Sequence, residues 1–297
     1  MSCLISCDSA VTGRFSCLRF PWRIDILKRA VRPGLIFVLF VVALPLSANI
    51  GRAESLAADV ARKSGMVDMI ASYPEQISAH IHQNASDQRS PLDQSRAIDL
   101  LLKAYKSLDT NGLLVRYIQD SASPQALQAI NDWFDSPLGE RFSAAEKAVS
   151  TVQGQLGEQD YLAGLKQHGP TEARIRLISR FESAAALRDI NMGMIALMMK
   201  SETAAMNRLL PADKRATDAA LSAHLEKQLQ NIPSEMVAVL KQQMLAISEY
   251  TYRDFTDAEL ADYIRFLESD AGKVLVRLYK QAPEVVFDKV IEAMEHH

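Results

Sequence analysis

From residue 54 onward, apolar side chains return every three or four positions, and proline and glycine punctuate the runs. That spacing is the helical period. No sustained alternation of Val, Ile and Thr flanked by turn signals interrupts it, so the pattern predicts an all-α bundle without a sheet. The first helix is expected from Glu54 to Tyr73, ended by Pro74, and a second from Glu75 to about Gln83. Ser90-Pro91, Ser123-Pro124 and Ser136-Pro137 each read as a capping serine followed by a first-turn proline, and each opens a helix. Asn111-Gly112 leads into a short helix between the first two of these. Gly154, Gly157 and Gly164, followed by His168-Gly169-Pro170, form a looser stretch. Thr171 begins a long helical run to about Lys200, and Pro211 and Pro233 punctuate again. Thr256-Asp257-Ala258-Glu259 has the spacing of a capping box, and Pro283 predicts a break or kink in the last helical stretch.

A shift of 133 residues lays one part of the chain on another. Leu127 falls on Leu260, Ile130 on Tyr263, Trp133 on Phe266, Phe134 on Leu267, Ser136 on Ser269, Gly139 on Gly272, Phe142 on Leu275 and Lys147 on Lys280. Large apolar residues thus recur at matched helical positions, and the capping residues Ser123 and Thr256 match as well. The pattern predicts two divergent tandem copies of a multi-helix module: module 1 over 54–156, a linker over 157–170 and module 2 over 171–297.

The segment Trp133-Phe134-Asp135-Ser136-Pro137-Leu138-Gly139 resembles the F-Y-x-S-P-x-G signature of an uncharacterised family of secreted Gram-negative proteins, known as a domain of unknown function. The second copy, Phe266-Leu267-Glu268-Ser269-Asp270-Ala271-Gly272, keeps Phe, Ser and Gly but has Leu for Tyr and Asp for Pro. The first keeps the proline and has Trp-Phe for Phe-Tyr. The likeness covers about 60 residues around each motif. It implies a helical fold and a periplasmic location, and no activity. Read without the family, Ser136 and Ser269 are N-caps, Pro137 and Asp270 suit a first helical turn, and Gly139 and Gly272 suit close approach of another backbone.

The first 53 residues differ in kind. Lys28, Arg29 and Arg32 precede an apolar run from Leu35 to Leu46, and Ser47, Ala48, Gly51 and Ala53 follow. Basic, apolar and small-residue parts in that order predict a secretory signal over 1–53, cut after Ala53 or after Ala48, with an extended n-region. The alternative is a retained inner-membrane anchor through the uncharged residues 33–51, facing the periplasm. Cleavage at Ala53 removes seven of the 33 basic and two of the 36 acidic residues, leaving a net charge of −8. An acidic protein is poorly placed to bind nucleic acid or anionic lipid by bulk electrostatics. Cys3, Cys7 and Cys17 all lie in the leader, so neither disulfides nor thiol chemistry is expected of the exported part.

No G-x-S-x-G elbow, H-E-x-x-H, Walker loop or G-x-G-x-x-G is present, and no cofactor is expected. His80 and His82 sit two apart, on different faces of a helix; His168 and His224 are isolated, and His296-His297 is the terminus. Methionines cluster at Met192, Met194, Met198 and Met199, with Met66, Met69 and Met206 elsewhere. Such residues fill irregular cores or line adaptable grooves, and soft copper is a third use. The sequence reading favours a non-enzymatic periplasmic module, with Met192, Met194, Met198 and Met199 as the candidate groove for an apolar segment of an envelope protein. A hydrolase with an unrecognised site remains the alternative, which a buried Ser or Asp beside His168 or His224 would support.

Overall fold

The computed structural model describes residues 56–83, 91–149, 152–164 and 169–297. The expected signal or anchor, its cut sites and His168 lie outside the described residues. Among the described residues the chain is all-α: thirteen α-helices, two short 3-10 turns and no strand. In chain order the helices are α1 (Leu56–Lys63), α2 (Met66–Gln83), α3 (Pro91–Lys106), α4 (Thr110–Ser121), α5 (Pro124–Phe134), α6 (Pro137–Val149), α7 (Val152–Gly164), α8 (Glu172–Ala184), α9 (Leu187–Arg208), α10 (Asp218–Gln230), α11 (Ser234–Thr251), α12 (Asp257–Glu268) and α13 (Asp270–Ala293). None of them is long and apolar enough to cross a membrane.

Several helix starts follow the expected chemistry. Ser123 Oγ accepts from the Ala126 amide, and Thr171 and Thr217 cap α8 and α10 in the same way. Thr256 and Glu259 form the complete capping box of α12, each accepting the other's free amide. Asp109 caps α4, slightly ahead of the expected Asn111 start.

Three expected boundaries move. The first helical stretch breaks at Gly65 (φ 79°), and α2 runs on through Pro74. A proline inside a helix strands the carbonyl four residues earlier. Here that carbonyl belongs to Ile70, and the Tyr105 hydroxyl donates to it at 3.3 Å. The run from Thr171 to Lys200 is two helices, parted at Ala186 (φ 51°), a left-handed position that an alanine rarely takes and that nothing in an Ala-rich string announces. Pro283, expected to break the last helix, lies buried inside α13.

The expected linker is also displaced: α7 is helical through Gly164. Its glycines serve packing. A Cβ on Gly154 would overlap the Ala148 carbonyl, and one on Gly157 would overlap the Tyr250 hydroxyl.

Two apolar cores are present, and neither belongs to one half of the sequence. The larger joins α1 to α5 with α9 and α13, through residues such as Ile70, Leu101, Leu114, Met198 and Phe287. The smaller joins Phe142 of α6 with residues of α8, α11, the α11–α12 turn and α12, among them Phe181, Tyr252, Phe255 and Tyr263. The first half therefore lends α6 to the smaller core, and the second half lends α9 and α13 to the larger.

Candidate functional site

The two sequence motifs are helical corners with the same hydrogen bonds. At the first, the Ser136 amide and hydroxyl both donate to the Trp133 carbonyl, at 3.0 and 2.6 Å, and Ser136 Oγ accepts from the Gly139 amide at 3.0 Å. At the second, Ser269 does the same with Phe266 at 3.0 and 2.6 Å, and with Gly272 at 3.1 Å. A Cβ on Gly139 would overlap the Trp133 carbonyl, and one on Gly272 the Phe266 carbonyl. Only glycine lets the new helix start so close to the end of the old one.

Trp133 and Phe266 are half-buried, short of the full burial their matched positions suggest. They stack on each other, ring centroids 4.5 Å apart and planes within 5°, and Trp133 also stacks on Tyr263 at 5.4 Å. The two corners meet face to face through these rings, which keeps part of each at the seam. Phe134 and Leu267 are buried behind them, while Pro137 and Ser269 are exposed.

Ten residues beyond each capping serine, α6 carries Glu146 and α13 carries Tyr279. Both line a cavity of about 40 Å³. Glu146 is buried, and its Oε1 accepts from the Tyr252 hydroxyl at 2.8 Å and from the Tyr263 hydroxyl at 3.0 Å. The Tyr279 hydroxyl donates to the Ser64 carbonyl, beside the α1–α2 break. Burial pushes the Glu146 carboxyl up to about 7, against the smaller opposing pull of the two tyrosines and Lys147. Burial likewise raises all three tyrosines well above the usual phenol range, so they stay protonated as donors.

Tyr252 is held in place by Arg174, a buried residue of α8. Its guanidinium donates to the Tyr252 carbonyl at 2.6 Å, the Phe255 carbonyl at 3.1 Å, Asp257 at 2.9 Å and Glu249 at 3.2 Å. It thereby ties the α11–α12 turn to the bundle. Periodicity gave no sign of Glu146, Arg174 or the tyrosines as a group. In the sequence they are ordinary members of amphipathic helices.

The methionine cluster is divided by the fold. Met194 and Met198 are buried in the larger core, and Met192 and Met199 are half-buried. The four do not form an exposed thioether face. α9 runs between the first-half helices on one side and α13 on another, so most of its circumference is covered, which is what its all-round apolar sequence suits. Met194 receives the Tyr73 hydroxyl on its sulfur and also reaches the floor of a groove on the far side of α9.

That groove, about 280 Å³, runs between α9, α10 and α13. Its floor is Ile190, Met194, Leu197 and Pro283; Gly193 adds an open stretch of backbone with nothing within 4 Å of where a Cβ would stand. Leu225 and Leu229 of α10 close it from above. Lys200, Lys280, Glu226 and Glu284 stand at its rim, and both lysines are already paired, Lys200 with Asp288 at 2.6 Å and Lys280 with Asp189 at 3.0 Å.

α10 is unlike the other helices. None of its thirteen residues is buried. Leu221, Leu225 and Leu229, spaced four apart, are half-buried, and every other position is exposed. Its link to α9 is clamped: Asn207 and Ala216 exchange two hydrogen bonds at 2.9 and 3.0 Å, and Arg215 donates to the Arg208 and Leu210 carbonyls.

Among the described residues no group of three His, Cys, Asp or Glu is placed to hold a metal ion. His224 is exposed on α10, and the His82 ring contacts the Ser78 carbonyl at 2.8 Å. No family model matches the chain, and no curated protein or solved structure matches it.

Proposed function

We propose that the protein is a non-enzymatic binding protein of the periplasm that takes a single acyl-like chain into the groove between α9, α10 and α13. The observation that carries this reading is α10: a helix whose Leu225 and Leu229 face a groove and which contributes nothing to either core. Such a helix can lift without unfolding the bundle, because no core residue leaves with it.

The groove's dimensions argue for a thin guest. A volume of 280 Å³ sits at the small end of ligand sites, which run to about 1,000 Å³, and a helix is about 10–12 Å across. Both lysines at the rim are already paired with aspartates, and Glu226 and Glu284 stand beside them, so the rim does not attract a strongly acidic head group. An apolar chain with a neutral or zwitterionic head fits that balance. The basic, apolar and small-residue order of residues 28–53 supports export, and the net charge of −8 beyond Ala53 argues against nucleic acid as the partner. The matched corners support reading the two halves as divergent copies of one unit.

The test is titration of the full chain with a neutral fluorescent naphthylamine, followed by displacement with a long-chain alcohol. Saturable binding at one probe per chain is expected, lost in Leu225→Glu/Leu229→Glu with helicity unchanged. Probe binding that ignores this pair would overturn the reading. Displacement by an apolar peptide and not by the alcohol would replace the acyl chain with a protein segment as guest.

A further inference from the structure

Gly193 stands inside α9 with no packing partner that requires a glycine. It is the seventh of the 22 residues of α9, and its backbone is right-handed helix. Glycine at such a position weakens a helix relative to alanine, so it calls for a close contact or a special φ to account for it. Gly112, Gly139, Gly154, Gly157 and Gly272 each have the contact: a Cβ there would stand 2.0–2.2 Å from another atom. Around Gly193 nothing lies within 4 Å of that point. The groove floor on α9 includes Ile190, Gly193, Met194 and Leu197, the i, i+3, i+4 and i+7 positions of one helix face. The period therefore calls for a large apolar side chain where the glycine stands. Resting on the binding reading above, we propose that Gly193 is the specificity-determining residue of the groove: its missing side chain leaves a notch in which the guest chain lies directly on the backbone of α9.

The notch decides how long a guest can lie in the groove. The α9 side of the groove runs from Ile190 to Lys200, about 15 Å at the helical rise, and Gly193 lies about 4.5 Å from its Ile190 end. Leu225 and Leu229 of α10 stand over this floor. A leucine-sized side chain at position 193 would project between Ile190 and Leu197 and interrupt the groove, leaving about 10 Å on the Lys200 side. With glycine there, a methylene chain passes without a break and reaches van der Waals contact, about 4 Å, with the Gly193 Cα. The floor is thus open along its whole length only because position 193 carries no side chain. The chemical class that uses this opening is a long unbranched chain, since a short one would fit beside a side chain at 193 equally well.

The experiment measures urea denaturation and naphthylamine affinity together, for the full chain and for Gly193→Ala and Gly193→Leu, with octanol and dodecanol as displacing alcohols. Because the space at 193 is empty, both variants should fold, and Gly193→Ala should raise the folding equilibrium constant about fourfold through helix propensity. Probe affinity should fall nonetheless, about fivefold in Gly193→Ala and more than about thirtyfold in Gly193→Leu, in order of side-chain size. In wild type each methylene added between octanol and dodecanol should strengthen displacement about threefold. In Gly193→Leu the longer alcohol should gain nothing over the shorter. Stability that rises while affinity falls marks a residue left bare for a guest. Stability and affinity that fall together make Gly193 a packing glycine and overturn the proposal. Wild-type affinity in both variants also overturns it, as does a Gly193→Leu protein that keeps the advantage of dodecanol; the groove reading then stands if Leu225→Glu/Leu229→Glu still abolishes binding. A wild-type chain that binds no probe removes the groove reading, and the role of Gly193 with it.

Discussion

At Ser136 and at Ser269 the chain turns through the same hydrogen bonds, yet ten residues further on one helix carries a glutamate and the other a tyrosine. The neighbouring positions diverge in the same sense: Ile130 on α5 corresponds to Tyr263 on α12. The backbone device is matched, and the chemistry it delivers to the cavity is not. Corner geometry is set by a cap, a carbonyl and the absence of one Cβ, so it survives wide changes in the residues that follow. What those residues face depends on the crossing of α6 and α13 into opposite cores.

The comparison can be broken most directly at its glycines. Gly139→Ala and Gly272→Ala should each cost about 4 kcal/mol, above the usual range of overpacking effects, because the obstacle is a backbone carbonyl that cannot rotate away. Urea denaturation of both variants checks this. Unequal losses would show that one corner bears more of the fold than the other.

Next comes the unmatched pair. The folded chain holds the Glu146 proton more tightly than the unfolded chain does, so acid favours folding. Glu146's contribution is fully present below the ordinary glutamate value of 4.5, falls between 4.5 and about 7, and is constant above. The loss across that window is about 3 kcal/mol. Glu146→Gln should remove this slope and leave the weaker ones from partly exposed acids that burial also raises: Glu182, to about 7, and Asp68 and Glu158. Denaturation midpoints of both proteins at several pH values decide it. A variant with the full wild-type slope would assign the loss elsewhere.

Trp133→Ala should cost about 2–3 kcal/mol, less than a fully buried tryptophan, since one edge already lies at the seam. Because its ring stacks on Phe266, the double variant with Phe266→Ala should lose about 1 kcal/mol less than the two singles together. Strict additivity would mean that the two corners do not support each other.

The smallest effect is expected at the caps. Ser136→Ala and Ser269→Ala should each cost about 1 kcal/mol, each removing one acceptor for a first-turn amide. Thermal melts that differ between the two would show that the flanking Pro137 or Asp270 changes the value of the cap.

How much of this was legible depends on the range of the force involved. Caps, first-turn prolines and apolar period act within a few residues, and Ser123, Ser136, Thr171, Thr256 and Ser269 therefore announced their helices in the sequence. Pro74 and Gly157 misled for the opposite reason. A proline is tolerated inside α2 when a distant Tyr105 hydroxyl satisfies the carbonyl it strands, and a glycine marks close packing when Tyr250 lies against it. Ala186 gave no sign, because an alanine in the left-handed region is held there by its surroundings.

The site divides in the same way. Both corner motifs and the apolar character of α9 could be read from residue types alone, and so could the absence of familiar catalytic spacings. The meeting of Glu146, Tyr252, Tyr263 and Tyr279 could not, since their separations along the chain run to more than a hundred residues. Nor could the sequence say which methionines α13 would cover, or that Leu225 and Leu229 of α10 would face a groove instead of a core. Local hydrogen bonds and propensities belong to the amino-acid order; burial, and with it the raised proton affinity of Glu146, belongs to the arrangement of helices that removes water from around it.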